Sequence, residues 1–156
     1  AKDNNLIPPT MEQPQYNLLY RKRLELDYVE VFKKLGIGTT IWSPLASGIL
    51  TGKYIDNIPK NSRAELKGYE WLREHMIESD SAKKNMEKVI KLKKIAEELK
   101  ITLSNLSIAW CLLNKNVSTV ILGASNTDQL KENISSIDAF ELLNDEVILK
   151  IESCII

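Results

Sequence analysis

Three junctions in this chain set polar, aromatic and glycine residues directly behind apolar runs: Glu12-Gln13, Trp42-Ser43-Pro44-Leu45-Ala46-Ser47-Gly48 and Gly123-Ala124-Ser125-Asn126. Each falls where a β-strand would end. In parallel α/β proteins ligands bind at the carboxyl ends of strands, so three such junctions would face one site. Past the third, Gln129, Glu132 and Asn133 stand at i, i+3 and i+4 and would share one helix face. Amides, hydroxyls, a flat aromatic ring and a helix start are suited to cradling a cofactor, and no catalytic group stands out beside them. Metal-ligand spacing of Cys and His, a glycine-rich dinucleotide fingerprint and a nucleophile elbow are all lacking in the sequence. The one histidine, His75, lies among charged neighbours and reads as a surface residue.

The elements that must position these residues come from an ordinary globular composition. The chain has 156 residues, 44% apolar and 27% charged, with 21 basic side chains balancing 21 acidic ones. That balance favours neither nucleic acid nor an anionic membrane. The longest apolar runs, such as Ala109 to Leu113, are far short of a bilayer span. Cys111 and Cys154 lie in aliphatic, helical stretches and read as free thiols of a reducing compartment, which points to the cytoplasm.

Hydrophobic periodicity and capping signals give the order of elements. Residues 1–5 read as a frayed helix end, stopped by Pro8-Pro9, and residues 10–16 as a short strand. Asp27 is expected to cap a helix to Leu35, with Val31, Phe32 and Leu35 on one face and Gly36 as the left-handed stop. Residues 37–42 predict a buried strand. A surface excursion from Ser43 to Arg63 precedes helices at 66–77 and 81–99, the second with Met86, Val89, Ile90, Ile95, Ala96 and Leu99 near a 3.6 period. Thr102 is positioned to cap a helix carrying Leu103, Leu106, Trp110 and Leu113. Residues 117–122 predict a strand covered on both faces. Helices then start at Asn126 or Thr127 and at Asn144, the last with Val147, Ile148 and Ile151. The order argues α/β with three parallel strands. Such a sheet leaves two open edges, so further strands are expected before Ala1 and the chain alone is expected to fold poorly.

These residues together resemble the aldo-keto reductases. The resemblance is carried by Glu12-Gln13-Pro14-Gln15-Tyr16, Trp42-Ser43-Pro44-Leu45-Ala46, Gly52-Lys53-Tyr54, Ser62-Arg63, Ala109-Trp110-Cys111-Leu112, Leu122 to Asn126, Asp128-Gln129-Leu130 and Glu132-Asn133. Within that family the chain is most similar to the cytoplasmic beta subunits of voltage-gated, Shaker-type potassium channels, a likeness strengthened by Lys67-Gly68-Tyr69-Glu70-Trp71-Leu72. Asn61 and Ser47 stand where that branch often has Tyr and Cys. The resemblance implies the C-terminal part of a (β/α)8 TIM barrel with its N-terminal strands missing, and NADPH as cofactor. The general-acid Tyr and its Lys and Asp partners would lie in the absent half, so no catalytic residue is assigned here. The intact protein would reduce aldehydes or ketones by hydride transfer. By the same resemblance it would bind a voltage-gated potassium channel alpha subunit at the inner face of the plasma membrane, as a homo-tetramer. The alternatives are a non-catalytic regulatory subunit holding NADPH as a ligand, and an inactive fragment.

The resemblance also implies roles. Gln13 would pair with the nicotinamide carboxamide, and Trp42 would stack on the ring. Ser43, Pro44, Leu45, Ala46 and Ser47 would meet the pyrophosphate, with Lys53 and Arg63 as cationic partners of phosphate and adenosine. Gly123 would allow close backbone approach, and Ser125 would meet the 2′-phosphate at a helix start. Gln129, Glu132 and Asn133 would face the adenosine. Each residue also has an ordinary reading: Trp42 as a core aromatic, Gly123 to Asn126 as a turn and cap, Lys53 and Arg63 as solvated charges. Their shared order favours the cofactor set.

Overall fold

β-Branched and apolar residues behind Gly36 and Asn116 build the sheet that organises the fold. A computed structural model describes residues 1–155, the side chain of Lys2 excepted. Strands β1 (Met11–Glu12), β2 (Gly38–Ile41) and β3 (Val117–Val120) form a parallel sheet in the order β1-β2-β3. Met11 lies opposite Gly38, and Ile41 opposite Val120. Pairing of β1 with β2 continues beyond the strands proper: the Trp42 amide donates to the Pro14 carbonyl (3.1 Å) and the Tyr16 amide to the Trp42 carbonyl (3.3 Å). The register slips at Ser118, whose Oγ leaves no room for a Cβ at Gly38.

The helices are α1 (Val29–Leu35), α2 (Glu70–Arg73), α3 (Asp80–Glu98), α4 (Leu103–Leu112), α5 (Thr127–Ile134), α6 (Ser136–Phe140) and α7 (Asp145–Ile155). Their ends follow local chemistry. Gly36 takes φ 62° and stops α1. The Ser79, Thr102 and Asn126 side chains accept from the amides of Ala82, Asn105 and Gln129, and Asn144 Oδ1 accepts from Val147. α4 is buried around most of its circumference and packs on α3, α5, α6 and β3. Ile41, Leu50, Leu72, Val89, Leu92, Leu106 and Ile151 form the densest part of the core.

Several expectations need correction. Asp27 does not cap α1: it ends a wide turn over Arg23–Asp27, and Tyr28 takes the cap position without a side-chain bond. Leu35 is exposed, because Phe32 alone of the expected stripe points fully inward. α2 starts four residues late, after Gly68 at φ 91°, and passes into a wide turn at Glu74–Glu78. In α3, Ile90 is exposed and Leu92 takes the core position. β3 ends at Val120 and is not covered on both faces: it is an edge strand with Ser118 and Thr119 exposed, since no strand among the described residues pairs beyond it.

Candidate functional site

The carboxyl ends of β1, β2 and β3 point to one side, because the strands are parallel and in contact. The Ile121 amide donates to the Ile41 carbonyl at 2.8 Å, so Trp42 and the loop after β3 leave the sheet side by side. Gln13 and Trp42 both reach solvent there. Trp42 retains 44% of its surface, so it is not a core aromatic in this fold.

Past Trp42 the backbone bends sharply. Ser43 (φ 57°), Ala46 (φ 47°), Ser47 (φ 56°) and Gly48 (φ 96°) are all left-handed. Three of the four carry a Cβ, and such residues cost of order 1–3 kcal/mol each unless surrounding structure holds them. The restraints are visible. Ser43 Oγ accepts from the Ser47 amide (3.3 Å), the Ser43 carbonyl accepts from the Ala46 amide (3.0 Å), and Pro44 is buried beneath. Lys53 folds back over this turn, its Nζ 3.1 Å from where a Gly48 Cβ would stand and 5.0 Å from the Tyr54 ring centroid. A cationic side chain across a strained turn is an anion-binding arrangement.

The third junction forms a second cluster. Asn126 Oδ1 accepts from the Gln129 amide (2.9 Å), while Gln129 Oε1 accepts from the Ser125 amide (2.8 Å). Asn133, buried, donates Nδ2 to the Gly123 carbonyl (3.4 Å). Ser125 is therefore joined to Gln129 and Gly123 to Asn133, and Glu132 lies half-buried on the same helix. Asn133 ties the loop to its helix from within. The space beside Gly123 is open, and the fold itself places no demand for glycine there.

Arg63 is exposed on the excursion, its guanidinium 5.6 Å from the Tyr69 ring centroid, without a direct contact to either cluster. Ser62 precedes it in the chain. Ser62 is buried, and its hydroxyl, like that of Tyr54, has no hydrogen-bond partner among the described residues. Unpaired buried hydroxyls cost of order 1–3 kcal/mol, and they lie beside the two cations assigned to phosphate and adenosine. The Tyr54 hydroxyl beside Lys53 and the strained turn at Ser43–Gly48 are polar groups that a bound anion could satisfy. The only sequence signal was the pairing Ser62-Arg63.

Two concavities lie elsewhere. One on the excursion is acidic, lined by Glu65, Glu70, Glu74 and Glu78. The other is lined by Tyr16, Arg21, Glu25, Trp110 and Glu152 and is closed by its own bonds: Tyr16 OH donates to Glu25 (2.7 Å), and Arg21 bridges Glu25 and Glu152 while stacking on Trp110. Burial pushes the Tyr16 hydroxyl well up, with Glu25 adding to the rise and Asn114 opposing it. Burial alone would lower Arg21, but its bonds to Glu25 and Glu152 outweigh that and hold it charged. Tyr16 therefore holds its proton more tightly than an ordinary tyrosine does. No cluster of three His, Cys, Asp or Glu suited to a metal occurs among the described residues. No helix among them is long and apolar enough to cross a membrane. The sequence matches the aldo/keto reductase family model over residues 1–156.

Proposed function

The chain belongs to the aldo/keto reductase family, and from that premise we propose that the carboxyl end of its sheet is the NADPH-binding part of a reductase for aldehydes and ketones. The observation that carries this reading is the left-handed run at Ser43, Ala46, Ser47 and Gly48, with Lys53 across it. Strain of this kind persists where a ligand makes use of it. Bound NADPH supplies a hydride for carbonyl reduction. This chain's own residues hold and orient: Trp42 offers a stacking face, Gln13 an amide for the carboxamide, and the Ser43–Ser47 turn with Lys53 a seat for phosphate. Arg63 and the Ser62 hydroxyl take the adenosine end, and Ser125 with Gln129 the 2′-phosphate.

The open edges of β1 and β3 support a further part of the reading: the three strands belong to a (β/α)8 barrel, other strands of which bring the acid that protonates the carbonyl oxygen. We further propose, on the likeness at Lys67 to Leu72, that the intact protein acts as a channel beta subunit at the cytoplasmic face, on a potassium channel alpha subunit. Calorimetric titration with NADPH tests the cofactor reading. Saturable binding that weakens in both Lys53→Ala and Arg63→Ala is expected; binding indifferent to both substitutions refutes it. Co-purification with a channel alpha subunit tests the partner separately.

A further inference from the structure

Asn17 is a polar side chain with no exposed surface, placed five residues beyond β1 and outside every residue set assigned to the cofactor. Its Nδ2 donates to the Ser43 carbonyl at 2.9 Å, across 26 residues of sequence. Its Oδ1 accepts from the Leu19 amide (3.0 Å), and its backbone exchanges two bonds with Tyr20 (3.0 and 3.3 Å). The side chain is thus fixed at its base and aimed at one atom, the carbonyl of the first left-handed residue of the turn.

We propose that Asn17 is a positioning residue for the phosphate seat: it holds Ser43 left-handed and through it the conformation of Ser43 to Gly48. This rests on the cofactor reading above. The Ser43 carbonyl accepts from two donors. The Ala46 amide bonds the same carbonyl from within the turn and would move with it if the turn relaxed. Asn17 approaches from another segment, so its bond is lost when the carbonyl swings away; the Tyr16 amide holds the preceding carbonyl, that of Trp42, and Asn17 is the one donor from outside the turn to the Ser43 carbonyl itself among the described residues. A seat common to both nucleotides also predicts the form of the effect: NADPH and NADH lose equally, because the 2′-phosphate lies at the other cluster.

The test pairs Asn17→Ala and the isosteric Asn17→Asp with Thr39→Val. Asp keeps the acceptor for Leu19 but, ionised, cannot donate to Ser43. Thr39 is likewise fully buried and donates one bond to a carbonyl, that of Asn116 (2.6 Å), at the opposite end of the sheet. NADPH and NADH are titrated against each variant, and backbone amide shifts of residues 43–48 are recorded. Both Asn17 variants are expected to bind each nucleotide about tenfold more weakly, the effect of losing one buried bond, with shifts concentrated in the turn. Thr39→Val should match their loss of stability while leaving nucleotide affinity and the turn's shifts unchanged. Unmoved turn shifts in the Asn17 variants, or equal loss of affinity in Thr39→Val, would overturn the assignment. An unsubstituted chain that binds neither nucleotide would overturn the cofactor reading instead, and the amide shifts would still decide whether Asn17 holds the turn.

Discussion

Replacing Asn105 by alanine should cost about 2–4 kcal/mol of stability. Asn105 is buried on α4 and its Nδ2 lies 2.6 Å from the Glu132 carbonyl, 3.1 Å from Ser135 Oγ and 3.2 Å from Ser136 Oγ. Its Oδ1 accepts from Thr102 Oγ1 at 2.8 Å. An amide has two N–H bonds, so at most two of the three donations are complete at once. The substitution therefore removes about three bonds, each with a net value of about 0.5–1.5 kcal/mol. The Glu132 carbonyl is not orphaned, since Ser135 Oγ also donates to it (2.8 Å), which keeps the estimate below the full desolvation penalty. A loss of this size is a large part of a typical domain stability of about 5–15 kcal/mol. Urea titration gives the value directly: the midpoint should fall with the slope unchanged. A loss below about 0.5 kcal/mol would show that the amide does not join α4 to the α5–α6 junction as drawn.

Other outcomes follow from single residues. Arg63→Ala should weaken NADPH binding by about 1–3 kcal/mol in a calorimetric titration, the scale of a charge-assisted contact. Ser125→Ala should weaken NADPH more than NADH; equal losses would remove the 2′-phosphate role. Alkaline pH should destabilise the fold, because burial pushes the Cys111 thiol and the Tyr16 hydroxyl up. The unfolded chain releases these protons near pH 8.5 and 10 while the folded chain keeps them, so their contribution is intact below about pH 8 and lost as pH rises, by about 1.4 kcal/mol per pH unit per group. Thermal melts from pH 7 to 11 check the sign, and Cys111→Ala should remove the earlier part of the fall.

What the sequence made legible was what short-range chemistry decides. Gly36, Thr102, Asn126 and Asn144 end or start helices through their own backbone freedom or side-chain oxygen, so their roles follow from a few neighbouring residues. The parallel order of the strands was likewise readable from apolar runs separated by helices. Features set by distant partners were not. Leu35 and Ile90 fit a helical stripe by period yet face solvent, because period does not say which side of a helix finds a neighbour. Residues 117–122 are apolar enough for a covered strand, but covering depends on strands that do not pair with β3 here. The bond from Asn17 to Ser43 joins residues that no local pattern relates, and the left-handed turn it supports includes only one glycine to announce it. The same applies to Ser62, whose significance lies in a hydroxyl left without a partner after folding.

The central claim is that a nucleotide lies along the carboxyl ends of β1, β2 and β3. A crystal structure of the protein with NADP⁺ tests it most directly. The account predicts the nicotinamide ring against Trp42, the pyrophosphate in the Ser43–Gly48 turn under Lys53, and the 2′-phosphate beside Ser125 and Gln129. Nucleotide bound instead at the amino ends of the strands, or in the cleft between Tyr16 and Trp110, would contradict it.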